Sequence, residues 1–167
     1  MSLTTTIKTI VTADYQGSND LGTPKFPLNY NINSALATGT GASQADLLFS
    51  DQRTLSASGT EDLDLAGSLT DPLGATLTFV KIKAIIIKAA SGNTNDVEVK
   101  PATSNGFTGP FNDASDTLVI PAGGMIALTA PVSGWAVTAG TGDLLTITNG
   151  SSGTSVTYDI ILIGTSA

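Results

Sequence analysis

The chain of 167 residues contains no histidine, no cysteine and a single arginine, Arg53. Without histidine a Ser-His-Asp triad is excluded, and without cysteine so are disulfides, thiolate metal sites and cysteine nucleophiles. Only 13% of the residues are charged, which is about half of the usual share. We therefore expect a scaffold or binding surface, not an enzyme, and we expect neither a cofactor nor a bound metal.

The chain also lacks clustered positive charge and long apolar runs. Its formal net charge is −7, and Lys81, Lys83 and Lys88 lie on one predicted strand and form no basic stripe. Phosphate binding needs clustered Lys and Arg, so we expect no contact with nucleic acid or with anionic membranes. No segment reaches the roughly 18 apolar residues of a membrane span, and MSLTTTIKTIVTADYQG has no apolar core of a secretory signal. These features predict a protein that is made and used in the cytoplasm, or carried out of it as part of something larger.

What the chain does contain, from residue 60 onward, is short alternating segments separated by Gly, Thr, Asn and Asp. Leu63 and Leu65 alternate with carboxylates, and residues 77–89 begin as a half-exposed strand and end apolar on both faces. About eight strands follow one another without a helical stripe between them. This pattern predicts an all-β fold, an antiparallel β-sandwich or jelly-roll-like domain over residues 56–167. The second apolar face of the strand at 77–89 requires cover from an arm formed by residues 1–55 or from another subunit.

Residues 1–55 have a different character. One edge strand is expected near residues 4–13, and Gly17, Gly22, Pro24 and Pro27 then interrupt regular structure. Apolar residues are too sparse here for a separate core. We interpret this segment as an extended N-terminal arm that packs on the main domain or on a neighbour. A loop-rich first layer of the same domain is the alternative.

Three groups of residues suggest chemistry, and each has a plainer explanation. Asp62 and Asp64 share a strand face at a spacing that suits glycosidase carboxylates, but a half-buried strand shows the same alternation. The loops at 93–96 and 112–116 are rich in oxygen ligands but lack the spacing of a calcium loop, and Asn and Asp are ordinary turn residues. Trp135, with Tyr158 or Phe107, could stack on a sugar ring, although core filling is the commoner role of such residues.

Several spaced blocks within residues 45–167 resemble small virion proteins of tailed bacteriophages, which are encoded among head-assembly genes. The blocks are EDLDLAGSL, GATLTFVKIKAIIIKA, GNTND, PAGGMIALTAP, GWAVTAGTGDLLTITNG and VTYDIILIG. The resemblance implies a non-enzymatic decoration or cement protein on the outer capsid surface. Such proteins commonly form trimers at three-fold or pseudo-three-fold positions.

The partners that this resemblance implies are the major capsid protein and further copies of the chain, with a homotrimer favoured. The expected location is the outer capsid surface of the virion, after assembly in the host cytoplasm. A tail, neck or spike-base component, a carbohydrate-binding module and a glycosidase remain alternatives. The candidate contact residues are Phe26, Tyr30, Leu47, Leu48 and Phe49 in the arm, with Ile85 on the strand at 77–89.

Overall fold

The computed structural model describes residues 2–167, and within them the chain is all-β, as the sequence predicts. No helix occurs in this range, and therefore none that could cross a membrane. The strands in chain order are β1 (Thr5–Gln16), β2 (Lys25–Thr38), β3 (Gln44–Ala45), β4 (Leu47–Leu55), β5 (Thr60–Asp64), β6 (Lys81–Ala89), β7 (Val97–Pro101), β8 (Leu118–Ile120), β9 (Met125–Thr129), β10 (Trp135–Ala136), β11 (Leu144–Asn149) and β12 (Val156–Thr165).

Nine of these strands form two sheets that pack face to face. The first has the order β10-β6-β12-β4, with β9 also paired to β6, and the second has the order β5-β11-β7-β8. All pairs within these sheets are antiparallel. The first and last strands of the sandwich in chain order, β4 and β12, lie side by side. The two sheets therefore form an antiparallel β-sandwich.

The core lies between the inner faces of the two sheets, and the period-two pattern explains its composition. Every second residue of β12 points inward, because successive side chains of a strand leave opposite faces. The inward positions of β12 are Val156, Tyr158, Ile160 and Leu162, and they meet Leu63, Val97, Val99, Leu145 and Ile147 from the second sheet. Burial of these apolar side chains is the main stabilising term of the sandwich.

The boundary between arm and sandwich differs from the one drawn at residue 55. Strand β4 pairs with β12 along its whole length, from Leu47 opposite Gly164 to Leu55 opposite Val156. Residues 47–55 are therefore an edge strand of the first sheet. The short β3 before it pairs in parallel with the end of β2, so the sandwich begins with β4 at residue 47.

Two residues assigned to a partner surface lie in the core, which corrects that assignment. Phe49 on β4 and Ile85 on β6 are both buried and belong to the main apolar cluster. The alternation of each strand turns these side chains toward the opposite sheet, so neither is available to a partner. Leu47 and Leu48 are half-buried; Leu47 packs against the main core and Leu48 against the outer face of the first sheet.

A hydrogen-bonded ion pair joins the two sheets near one edge. The hydroxyl of Tyr158 on β12 donates to Glu61 Oε1 on β5 at 2.5 Å, and Arg53 on β4 donates to Glu61 Oε2 at 2.6 Å. Arg53 also lies 3.1 Å from Asp51 Oδ2 and over the ring of Phe49. Three strands from both sheets thus converge on one carboxylate.

This arrangement predicts a specific loss of stability in alkali. Burial, reinforced by the hydrogen bond to Glu61, raises the pKa of Tyr158 above its ordinary value of 10.0. Above about pH 10 the unfolded chain releases the phenol proton and the folded chain keeps it, so the free energy of unfolding falls by up to about 1.4 kcal/mol per pH unit. Tyr158→Phe should remove this component. Urea unfolding of both proteins between about pH 9 and pH 11 measures it, and parallel curves for the two proteins would contradict the assignment.

Candidate interaction surface

Residues 5–38 form a long two-stranded ribbon, which we call the ribbon from here on. Strands β1 and β2 pair in antiparallel register over twelve residues, from Thr5 opposite Leu36 to Gln16 opposite Lys25. Twelve residues of antiparallel strand span about 40 Å. The sequence predicted the first strand but not the second. Pro27 lies within β2, where an edge strand tolerates a residue that donates no backbone hydrogen bond.

One face of the ribbon is almost entirely apolar. Residues directly opposite in an antiparallel pair share a face, so the odd positions of β1 lie beside the even positions of β2. This apolar face consists of Ile7, Thr9, Val11, Ala13 and Tyr15 from β1 and of Phe26, Leu28, Tyr30, Ile32, Ser34 and Leu36 from β2. It carries three of the nine aromatic residues of the chain, which are therefore not used to fill the core.

Most of the apolar face is uncovered in the folded chain. Tyr15 is 79% exposed, Phe26 66% and Tyr30 57%, and Val11, Leu28 and Ile32 are exposed as well. Soluble proteins rarely leave a contiguous apolar patch of a few hundred Å² in water unless it binds something. An isolated two-stranded hairpin is also marginally stable at best. The exposed apolar face is thus the strongest indication of a binding surface on this chain.

The opposite face of the ribbon is polar. It carries Asn29, Asn31 and Asn33 on β2, which face Thr12, Ile10 and Lys8 on β1. These asparagines pair with no strand outside the ribbon, and their polar side chains are suited to contact with water. Ile10, which is 56% exposed, is the largest apolar side chain on this face. The ribbon is amphipathic, so its two faces have different roles.

The base of the ribbon is fixed to the sandwich by its apolar face. Leu36 is buried in a second cluster with Ala45, Ala84 and Ile163, on the outer face of the first sheet. Ile7 packs against the same cluster. The predicted cover for the second apolar face of β6 is therefore supplied, at one end of the strand, by the ribbon. Beyond this base the ribbon leaves the sheet, and its apolar face becomes exposed.

Backbone and side-chain hydrogen bonds hold the turn between ribbon and sandwich. Ser43 adopts a positive φ of 53° and its amide donates to the carbonyl of Pro131 at 3.0 Å. Gln44 Oε1 accepts from the amide of Gly41 at 2.8 Å. Gly39 has a φ of 138°, and an added Cβ there would overlap the side chain of Gln44. These contacts fix where the ribbon leaves the sandwich.

Charge is divided sharply between ribbon and sandwich. The ribbon with its turn contains Lys8 and Lys25 against Asp14 and Asp20, so its formal charge is zero. The whole net charge of −7 is therefore carried by the remaining residues. The ribbon is free to approach surfaces of either sign, whereas the sandwich repels anionic polymers.

The candidate contact residues therefore divide into three groups. Phe26 and Tyr30 lie on the exposed apolar face of the ribbon, Leu47 and Leu48 are half-buried in the sandwich, and the other two are core residues. Sequence reasoning missed Val11, Tyr15, Leu28 and Ile32. Their signal was the alternation in TIKTIVTADY and in FPLNYNI, which the prolines and asparagines obscured.

The two carboxylates considered for glycosidase chemistry are engaged in structural hydrogen bonds. Asp62 accepts from the hydroxyl of Thr146 on the neighbouring strand at 2.5 Å. Asp64 accepts from the amide of Ala66 at 2.9 Å and so closes the turn after β5. Each carboxylate thus has a structural hydrogen-bond partner within the sandwich.

The polar loops considered for calcium are held together by their own side chains. Asn93 exchanges two hydrogen bonds with the backbone of Thr157, both at 2.9 Å. The amide of Asn95 donates to Asn149 at 2.9 Å. Asp116 accepts from two backbone amides of its own loop. Within residues 2–167 no three carboxylates are placed to hold a metal ion.

A sugar-stacking platform around Trp135 also lacks its proposed partners. Phe107 and Tyr158 are both fully buried in the main core. Trp135 is half-buried and packs against the same core. The aromatic surface that the chain does expose lies on the ribbon.

Comparison of the chain with protein-family models, with curated proteins and with solved structures finds no match.

Proposed function

We propose that this protein is a non-enzymatic structural component of a tailed-phage virion, a decoration or cement protein that binds the outer surface of the capsid. Its partners would be the major capsid protein and further copies of the chain, in a homotrimer as the sequence resemblance implies. The single observation that carries the proposal is the exposed apolar face of the ribbon, because the folded chain presents a large surface that only a neighbour can cover.

The proposed mechanism is mechanical. A copy that bridges adjacent capsid subunits adds contacts that internal pressure must break before the shell opens. Each contact can be weak, because several sites on one rigid assembly bind together and the later ones act at high effective concentration. A ribbon of about 40 Å projecting from a compact sandwich reaches well beyond the footprint of the sandwich itself.

The charge distribution supports a position on the outside of a DNA-filled shell. The sandwich carries the entire net charge of −7 and is repelled by phosphate. The neutral ribbon can approach an acidic protein surface without that penalty. Both features suit a protein that meets protein partners and not nucleic acid.

The number of copies per particle tests this proposal. In purified virions, the protein should be present at a copy number comparable with that of the major capsid protein, measured by quantitative mass spectrometry against labelled peptides of both. A copy number far below that of the capsid protein would instead indicate a tail, neck or spike-base component. Absence of the protein from purified particles would overturn a virion role altogether.

A further inference from the structure

We infer that the apolar face of the ribbon is covered by the same face of the ribbon from a second copy of this chain, so that the ribbons pack face to face. This inference deepens the proposed function by naming the partner of the ribbon, replaces the homotrimer that the resemblance implies with a two-fold pair, and rests on that function only for its biological setting. The self-association itself is a property of the isolated protein.

The area available on the ribbon fits a self-associating interface. The exposed fractions of Tyr15, Phe26 and Tyr30 add up to about two whole aromatic side chains. One aromatic side chain buries about 150–250 Å². With the partly exposed Val11, Leu28 and Ile32, each ribbon offers roughly 500 Å² of apolar surface. Two ribbons would bury roughly 1,000 Å², which is about the minimum for a specific protein interface.

The charge distribution of the ribbon is compatible with a second copy of the chain as its partner. Two ribbons meet without repulsion, because each has a formal charge of zero and every charged side chain within its two strands lies on the polar face. Lys8, Asp14 and Lys25 stay in water when the apolar faces meet, so no charge is desolvated. The acidic sandwiches, by contrast, repel one another, so they are poor candidates for the contact between copies.

The geometry of the face is also suited to a copy of itself. Face-to-face packing of two ribbons gives a four-stranded, two-layer core, with sheets about 10 Å apart and polar side chains outside. A two-fold contact of this kind uses the same patch on both copies. It also removes the marginal stability of a lone two-stranded ribbon. A partner of different chemistry would have to supply a flat, uncharged apolar strip of the same length.

A solution mass measurement with matched variants tests the inference. By light scattering after size exclusion, the wild-type protein should have a mass of about 34 kDa, twice the 16.8 kDa of one chain. The variant Tyr15→Ser/Phe26→Ser/Tyr30→Ser should weaken association at least about 100-fold and run as a monomer. Ile10→Ser, on the opposite face of the same strand, should keep the wild-type mass. A wild-type monomer at high concentration, or a triple variant that stays associated, would overturn the inference.

Cross-linking supplies a second test that leaves the aromatic residues intact. Because the chain contains no cysteine, Val11→Cys and Ile10→Cys each introduce one unique thiol, on the apolar and the polar face respectively. Val11 lies near the middle of the exposed length, so it faces its own copy when the ribbons pack antiparallel and lies one strand away from it when they pack parallel. A bis-maleimide that spans about 10 Å should join Val11→Cys chains efficiently and Ile10→Cys chains poorly. Equal yields would contradict face-to-face packing.

Capsid binding separates failure of the inference from failure of the proposed function. If the triple variant remains associated but no longer sediments with undecorated capsids, the ribbon face contacts the capsid and the inference is wrong while the function stands. If the wild-type protein associates through the ribbon but never binds capsids, the inference stands and the proposed function is wrong.

Discussion

A variant in which an Asn-Gly turn replaces residues 8–33 is expected to keep a folded sandwich and to lose capsid decoration. Lys8 and Asn33 are opposite one another in the ribbon, so Ile7 and Ser34 become the neighbours of the new turn. Asn-Gly is the preferred two-residue hairpin connection. The excision keeps Ile7 and Leu36, which cover the outer face of the first sheet. It also keeps β4 intact, whereas a simpler deletion of residues 1–50 would remove the first part of that strand.

The expected loss in apparent capsid affinity is at least about 100-fold, because the ribbon supplies either the capsid contact or the association that makes binding multivalent. Co-sedimentation with undecorated capsids measures the loss. Thermal unfolding reports whether the sandwich remains folded. Ile10→Ser in the full-length chain is the control and should decorate normally. Normal decoration by the excised variant would refute a role of the ribbon in binding.

Glu61→Ala is expected to lower the free energy of unfolding by about 3 kcal/mol. The carboxylate accepts from Tyr158 and from Arg53, and its removal leaves a buried hydroxyl and a half-buried guanidinium without their main partner. Breaking a buried ion pair costs about 3–5 kcal/mol, and the value here is reduced because Arg53 and Glu61 keep side-chain exposures of 30% and 21%.

Urea unfolding of three proteins measures this contribution. Asp159→Ala is the matched control, since Asp159 is adjacent to Tyr158 in sequence but points out of the sheet and bonds only Gln52 at the surface. It should change stability by less than about 0.5 kcal/mol. Combining Glu61→Ala with Tyr158→Phe should cost less than the two single changes together, because both remove the same hydrogen bond. Equal losses for Glu61→Ala and Asp159→Ala would contradict the assigned role of the network.

The β-strands of the sandwich could be predicted from the sequence because the alternation of residues that marks a strand is a local pattern. In β12 the residues Val156, Tyr158, Ile160 and Leu162 alternate with outward positions, and the same residues line the core. The turns that separate the strands are marked by Gly, Asn and Asp, whose conformational preferences act over a few residues. Period and turn chemistry together were sufficient for the fold class.

The ribbon was harder to predict because its second strand violates those local rules. Pro27 and three alternating asparagines in β2 are typical of a loop, and the strand exists because β1 pairs with it over twelve residues. Similarly, Phe49 was assigned to the arm from sequence, and this was wrong. Its burial depends on the pairing of β4 with β12, which lies more than 100 residues away in the chain. Long-range pairing of this kind leaves no local trace.

By itself, the sequence determined that this protein is an acidic all-β chain without the side chains of common catalysis, because composition and period are properties of the chain alone. The absence of histidine and of cysteine was likewise established by the sequence alone. Only the tertiary structure decided which apolar residues are core and which are surface. Ile85 and Phe26 are equally apolar in the sequence, but the opposite sheet covers Ile85, whereas Phe26 remains 66% exposed. Burial depends on what lies across from a residue, and that is set by strand pairing and sheet packing.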